Sequence, residues 1–117
     1  MGYYTEYSLD VNNVETENQF NELNKSMHEM EIIGYALDEG SYSEATKIAY
    51  FYPCDSVKWY SNSEDMQKIS IQFPDMVFKL EGHGEEFGDF WREYFHNGES
   101  EHCRGNLTFE KPTFIQW

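Results

Sequence analysis

In "YYTEYSLDV", residues 3–11, Tyr3, Thr5, Tyr7, Leu9 and Val11 alternate with Tyr4, Glu6, Ser8 and Asp10. A period of two sends successive side chains to opposite faces, so the stretch predicts a half-buried strand. The period then lengthens. Phe20, Leu23, Met27 and Met30 recur at helical spacing with Glu22, Lys25 and Glu29 turned outward, which predicts a helix over 16–31. "GYALDEGS" predicts a short strand running into a turn. "EATKIAYFYP" predicts a strand with Ile48, Tyr50 and Tyr52 on one face and Ala49 and Phe51 on the other, closed by Pro53. "VKWY" predicts another short strand. In "SNSEDMQKISIQFPD", Ser61 precedes Glu64 by three, the spacing of a capping box, and Ser63 is an equally good N-cap. Met66, Ile69 and Phe73 form the stripe of a second helix, acids open its first turn, and Pro74 stops it. "MVFKLEG" and "DFWREYFHNGE" alternate again, and "CRGNLTFE" predicts a last strand. The apolar tail "KPTFIQW" predicts a segment docked on the rest.

The predicted order is β-α-β-β-β-α-β-β-β, without repeat or linker, so one domain over 1–117 is expected. Two helices are too few to cover both faces of such a sheet. The expected class is α+β: a ferredoxin-like sandwich, with an antiparallel sheet and two helices packed on one face. Asn97-Gly98 is the strongest short hairpin signal and predicts that 89–95 pairs with 102–109.

This layering bears on the aromatics. Phe90 and Tyr94 fall on one face of their strand and Trp91 and Phe95 on the other, while Tyr50 and Tyr52 behave likewise. The uncovered face is therefore expected to present Tyr and Trp to solvent, the tail, a second copy or a partner. Aromatic anchors rimmed by acids suit a protein-binding hot spot. The candidate partner-binding residues are Tyr50, Tyr52, Trp59, Trp91 and Tyr94, with Glu85, Glu86 and Asp89 as the acidic rim.

Composition sharpens the partner class. The 117 residues are 39% apolar and 18% aromatic, and the aromatics supply a core that a mean hydropathy of -0.76 alone would deny. Twenty-two acids against eight bases give a net charge of -14. That surface repels phosphate backbones and anionic lipid, so neither nucleic acid nor membrane is expected as a direct partner. It suits a basic protein surface, including a groove built to hold nucleic acid; it also simply aids solubility. The chain shows no signal peptide and no long apolar run, and Cys54 and Cys103 lie far apart, so free thiols and a cytoplasmic address are expected.

The stretch "LEGHGEEFGDFWREYFHNGE", residues 80–99, crowds His, Gly and acids together as a metal or catalytic loop does. His83-Gly84-Glu85 matches the His-x-Glu half of a zinc deaminase, and Pro53-Cys54 echoes its other half. The second thiolate position holds Val57 and the halves run in reverse order, so the third ligand is missing. His83, Glu85, Glu86 and Asp89 offer mixed ligands, yet acid-rich turns are usually solvated and no metal or other cofactor is assigned. His102 and Cys103 are strand neighbours and point to opposite faces. No nucleophile elbow or phosphate loop is present. The His and Gly residues of the stretch read as turn chemistry, and no enzymatic activity is expected.

"YYTEYSLDV" followed by "KWY…EDMQKISIQFPDMVFKLEGHGEEFGDFWREYFHNGE" resembles a group of small uncharacterised acidic proteins of bacteriophage and prophage genomes. The likeness covers residues 1–11 and 57–99. In its helix-Phe-Pro-strand-Gly arrangement the chain is more distantly similar to phage and plasmid proteins with a ferredoxin-like domain. The resemblance implies an accessory phage gene, a class that often counters host defences, and implies no catalytic residue. The expected function is binding and inhibition or modulation of a host protein, such as a CRISPR or restriction component, by acidic mimicry of nucleic acid. Two alternatives stand beside it: a small-molecule, nucleotide or metal binder using the 82–89 loop, and a homodimeric structural protein.

Overall fold

The computed structural model describes residues 4–86 and 88–105. Its elements run β1 (Thr5–Asn12), α1 (Glu17–Glu29), β2 (Leu37–Ser43), β3 (Ile48–Pro53), α2 (Asn62–Gln72), β4 (Val77–Gly84), β5 (Phe90–His96) and β6 (Glu99–Arg104). The alternation in β1 is realised: Thr5, Tyr7, Leu9 and Val11 are buried, while the residues between them face out. Helix α1 starts where Thr16, in extended conformation, accepts the Gln19 amide on its Oγ1 at 3.1 Å. The Gln19 side chain reaches back to accept the Glu15 amide at 2.9 Å, so one donor of the first turn and one just before the cap are satisfied reciprocally. Leu23 and Met27 are its fully buried residues, with Phe20 and Met30 packed beside them.

The six strands form one antiparallel sheet in the order β2-β3-β1-β4-β5-β6. β1 and β2, joined through α1, run parallel with β3 between them; β3 and β4, joined through α2, run parallel with β1 between them. Both helices lie on the face that carries Leu9, Val11, Phe51, Phe78, Leu80 and Phe95, all essentially buried. Burying each such side chain stabilises the fold by about 1.5–3 kcal/mol, and Met66 and Ile69 of α2 close the layer.

Several expectations are corrected. The six-strand order is not the four-stranded βαββαβ arrangement of a ferredoxin-like fold, because β5 and β6 extend the sheet beyond β4. "VKWY" is not a strand. Val57 makes a single bridge to Thr5, with amide-carbonyl distances of 2.9 and 3.0 Å, and the chain then turns so that Trp59 enters the core. The capping box at Ser61 does not form. Its hydroxyl donates to Asp65 Oδ2 at 2.9 Å, and Ser63 donates across to Glu93 Oε2 at 2.7 Å. The Asn97-Gly98 hairpin is present, but β6 begins directly after the turn at Glu99, because a two-residue turn leaves no room for a longer loop. The tail "KPTFIQW" and the end of "CRGNLTFE" lie outside the described residues.

Candidate protein-binding surface

The face of the sheet opposite the helices is set by strand register. Across it, Ser41 pairs with Tyr50, Tyr50 with Asp10, Asp10 with Lys79, Lys79 with Tyr94 and Tyr94 with Glu101. A neighbouring row joins Ser8 to Glu81, Glu81 to Arg92 and Arg92 to Cys103. Tyr50 and Tyr94 thus stand in one line, separated by two strands, or about 14 Å at ordinary strand spacing.

Two ion pairs cross the middle of this face. Lys79 Nζ lies 2.8 Å from Asp10 Oδ2, and Arg92 Nε donates to Glu81 Oε1 at 3.0 Å. The Arg92 pKa is raised, first by its hydrogen bond to Glu81 and their mutual attraction, then by Tyr94 beside it. Partly exposed pairs of this kind contribute at most about 1 kcal/mol each. Their larger effect here is to neutralise the centre of the face.

Aromatic rings flank the ion pairs. Tyr50 and Tyr52 meet edge to face at 4.8 Å, and Tyr52 is 49% exposed. On the far side, Phe90 lies over His83 with ring centroids 6.1 Å apart. Phe90 belongs to this surface although the sequence reading left it out. The alternation that placed it with Tyr94 was the signal that could have found it.

The eight sequence candidates do not form one patch. Tyr50, Tyr52 and Tyr94 share the open face. Glu85, Glu86 and Asp89 occupy the β4–β5 connection at the sheet end where Thr5 pairs with Gly84, with the Asp89 amide donating to Glu86 O at 3.1 Å. Trp91 lies on the helix-bearing face, by register with Gly82 and Arg104. Trp59 is 4% exposed, and its Nε1 donates to Asp65 Oδ2 at 2.7 Å. The expectation of exposed Trp on the open face is therefore corrected: those aromatic anchors are Tyr and Phe. β5 is aromatic on both faces, and the parity of its pairing with β4 turned Trp91 inward.

Around Trp91 an aromatic chain runs to the sheet edge. Trp59 meets Tyr7 at 5.1 Å, Tyr7 meets Trp91 at 6.0 Å, and Trp91 stacks on His102 at 5.5 Å. Burial raises the Tyr7 pKa, and its hydroxyl donates to Trp59 O at 3.3 Å. Beside this chain, Ser63 donates to Glu93, whose other oxygen lies 3.6 Å from His102 Nδ1. The carboxylate stands between hydroxyl and imidazole, so His102 has no proton to take from Ser63, and this is not a nucleophile–base pair. Among the described residues no group of three His, Cys, Asp or Glu is placed to hold a metal ion. Cys54 and Cys103 are both free thiols, and among the described residues no helix is long and apolar enough to cross a membrane.

Charge is distributed unevenly. Residues 15–44, spanning α1 and β2, hold eight acids, all exposed, and only Lys25 as a base. This flank alone carries -7, half of the chain's -14. No protein-family model matches the chain, and neither a curated protein nor a solved structure does.

Proposed function

We propose that this is a non-enzymatic phage-encoded protein that binds a host protein and inhibits or modulates it, acting in the bacterial cytoplasm. A defence component with a basic or nucleic-acid-binding groove is the target class, and acidic mimicry of nucleic acid is the mode. The observation that carries the reading is the open sheet face, where Tyr50, Tyr52, Phe90 and Tyr94 stand uncovered by either helix beside an acidic flank. Tyrosine supplies contact area at low entropic cost, and acids steer a basic partner toward it. We also infer that β1–β4 with the two helices is a ferredoxin-like unit, supported by its two split β-α-β connections, to which the β5–β6 hairpin is added.

The test is affinity purification from an infected bacterial host, read by mass spectrometry at about 0.05 M and 0.5 M salt, where the Debye length shortens severalfold. A basic host protein is expected at low salt, weakened at high salt, and lost with Tyr50→Ser/Tyr52→Ser. Capture that is equal for the wild type and this variant, at both salt concentrations, argues against the reading.

A further inference from the structure

Resting on that reading, we propose that the β2-β3-β1 half of the open face recognises arginine side chains of the partner. The two halves of this face differ in how their carboxylates and rings are used. On the β4–β5 half the protein supplies its own cations: Lys79 is held by Asp10, and Arg92 is held by Glu81 with Tyr94 alongside. Arg92 shows how this sheet seats a guanidinium, with a carboxylate on the neighbouring strand and a tyrosine two residues along its own.

The other half repeats the frame without the cation. β1, β2 and β3 contain no Lys or Arg. Tyr50 and Tyr52 lie two residues apart on β3 with their rings edge to face, and the Tyr52 hydroxyl is 3.4 Å from Ser41 Oγ. Asp10 is in register with Tyr50, its side chain is partly exposed, and it meets Lys79 through Oδ2. Glu6 is exposed on the same face of β1.

Exposed phenol faces beside carboxylates suit a planar guanidinium, which stacks on a ring while its N–H fork meets a carboxylate. A lysine ammonium is more strongly hydrated and lacks the plane. Charge complementarity points the same way, because a chain at -14 meets a second copy of itself with repulsion and an arginine-rich segment with attraction.

The experiment measures Kd by fluorescence anisotropy for labelled oligo-arginine and oligo-lysine peptides of equal length, using the full chain at low salt. The wild type is expected to prefer oligo-arginine by about fivefold, the scale of one or two exposed cation–π contacts. Tyr50→Ser/Tyr52→Ser should bring the ratio close to one, while Tyr50→Phe/Tyr52→Phe, which keeps the rings, should retain it. Glu15→Gln/Glu17→Gln/Glu22→Gln, in α1 and just before its start, should weaken both peptides together and leave the ratio intact. Equal affinities in the wild type, or a preference that survives loss of both rings, overturn the arginine reading and leave the basic-partner reading standing. If neither peptide binds, both readings fall. An arginine preference that depends on Tyr50 and Tyr52 supports the inference even if no host protein is captured.

Discussion

Trp91 lies over Gly82 on the adjacent strand, and a Cβ at Gly82 would meet its ring at 2.4 Å. The sequence pattern places this glycine at the end of the strand "MVFKLEG", and the His and Gly residues of 80–99 read as turn chemistry. Gly82, His83 and Gly84 are all inside β4, and the glycines of residues 80–99 that adopt positive φ are Gly88 and Gly98, at 84° and 85°. Gly82 is there to make space: it has no side chain where Trp91 needs one absent. Gly82→Ala must displace either the indole or the backbone, and is expected to cost about 1–3 kcal/mol as overpacking. Urea denaturation measures the loss, and tryptophan fluorescence reports whether the indole has moved. Trp59 makes the same point about single residues. Its neighbours Lys58 and Tyr60 gave no sign that it would enter the core, because the signal lies in the hydrogen bond to Asp65, six residues away.

At the scale of elements, α2 is held to the β5–β6 hairpin by polar side chains rather than by its apolar stripe alone. Ser63 bonds Glu93, Gln67 Nε2 bonds Ser100 Oγ at 3.3 Å, and Ser70 Oγ accepts the Gly98 amide at 2.8 Å. The spacing 63, 67, 70 is helical, but a periodicity read on hydrophobicity assigns such positions to solvent. Ser70 is fully buried and also donates to Gln67 O at 2.8 Å. Ser70→Ala leaves the Gly98 amide of the turn without its acceptor, which is expected to cost about 1–3 kcal/mol. Hydrogen exchange at the Gly98 amide should speed up in this variant while β1 and β4 amides exchange as before. By contrast, the turn itself was legible. Asn97 and Gly98 both take positive φ, 48° and 85°, as a two-residue hairpin turn demands, and these two residue types tolerate it best.

For the whole molecule, two terms compete in the response to salt. Screening weakens the Asp10–Lys79 and Glu81–Arg92 pairs, each worth at most about 1 kcal/mol. It also relieves the self-repulsion of a chain at -14. The second term involves many more charges, with eight acids on the α1–β2 flank alone. The denaturation midpoint is therefore expected to rise between about 0.01 M and 0.15 M salt, where the Debye length falls from about 30 to 8 Å. A falling midpoint would mean that the cross-strand pairs outweigh the repulsion.

Strand faces, helix stripes, the Asn-Gly turn and the net charge are local or additive properties, and the sequence by itself determined them. Tyr50 had to share a face with Tyr52, and Trp91 with Phe95, because the side-chain period of a strand is two. The tertiary structure alone decided which of those faces the helices would cover, that β1 would lie between β3 and β4, and that Lys79 and Arg92 would find carboxylates on adjacent strands. These depend on pairing between segments far apart in the chain, where a shift of one residue exchanges the two faces. That is why Tyr50, Tyr52 and Tyr94 reached the open face and Trp91 did not.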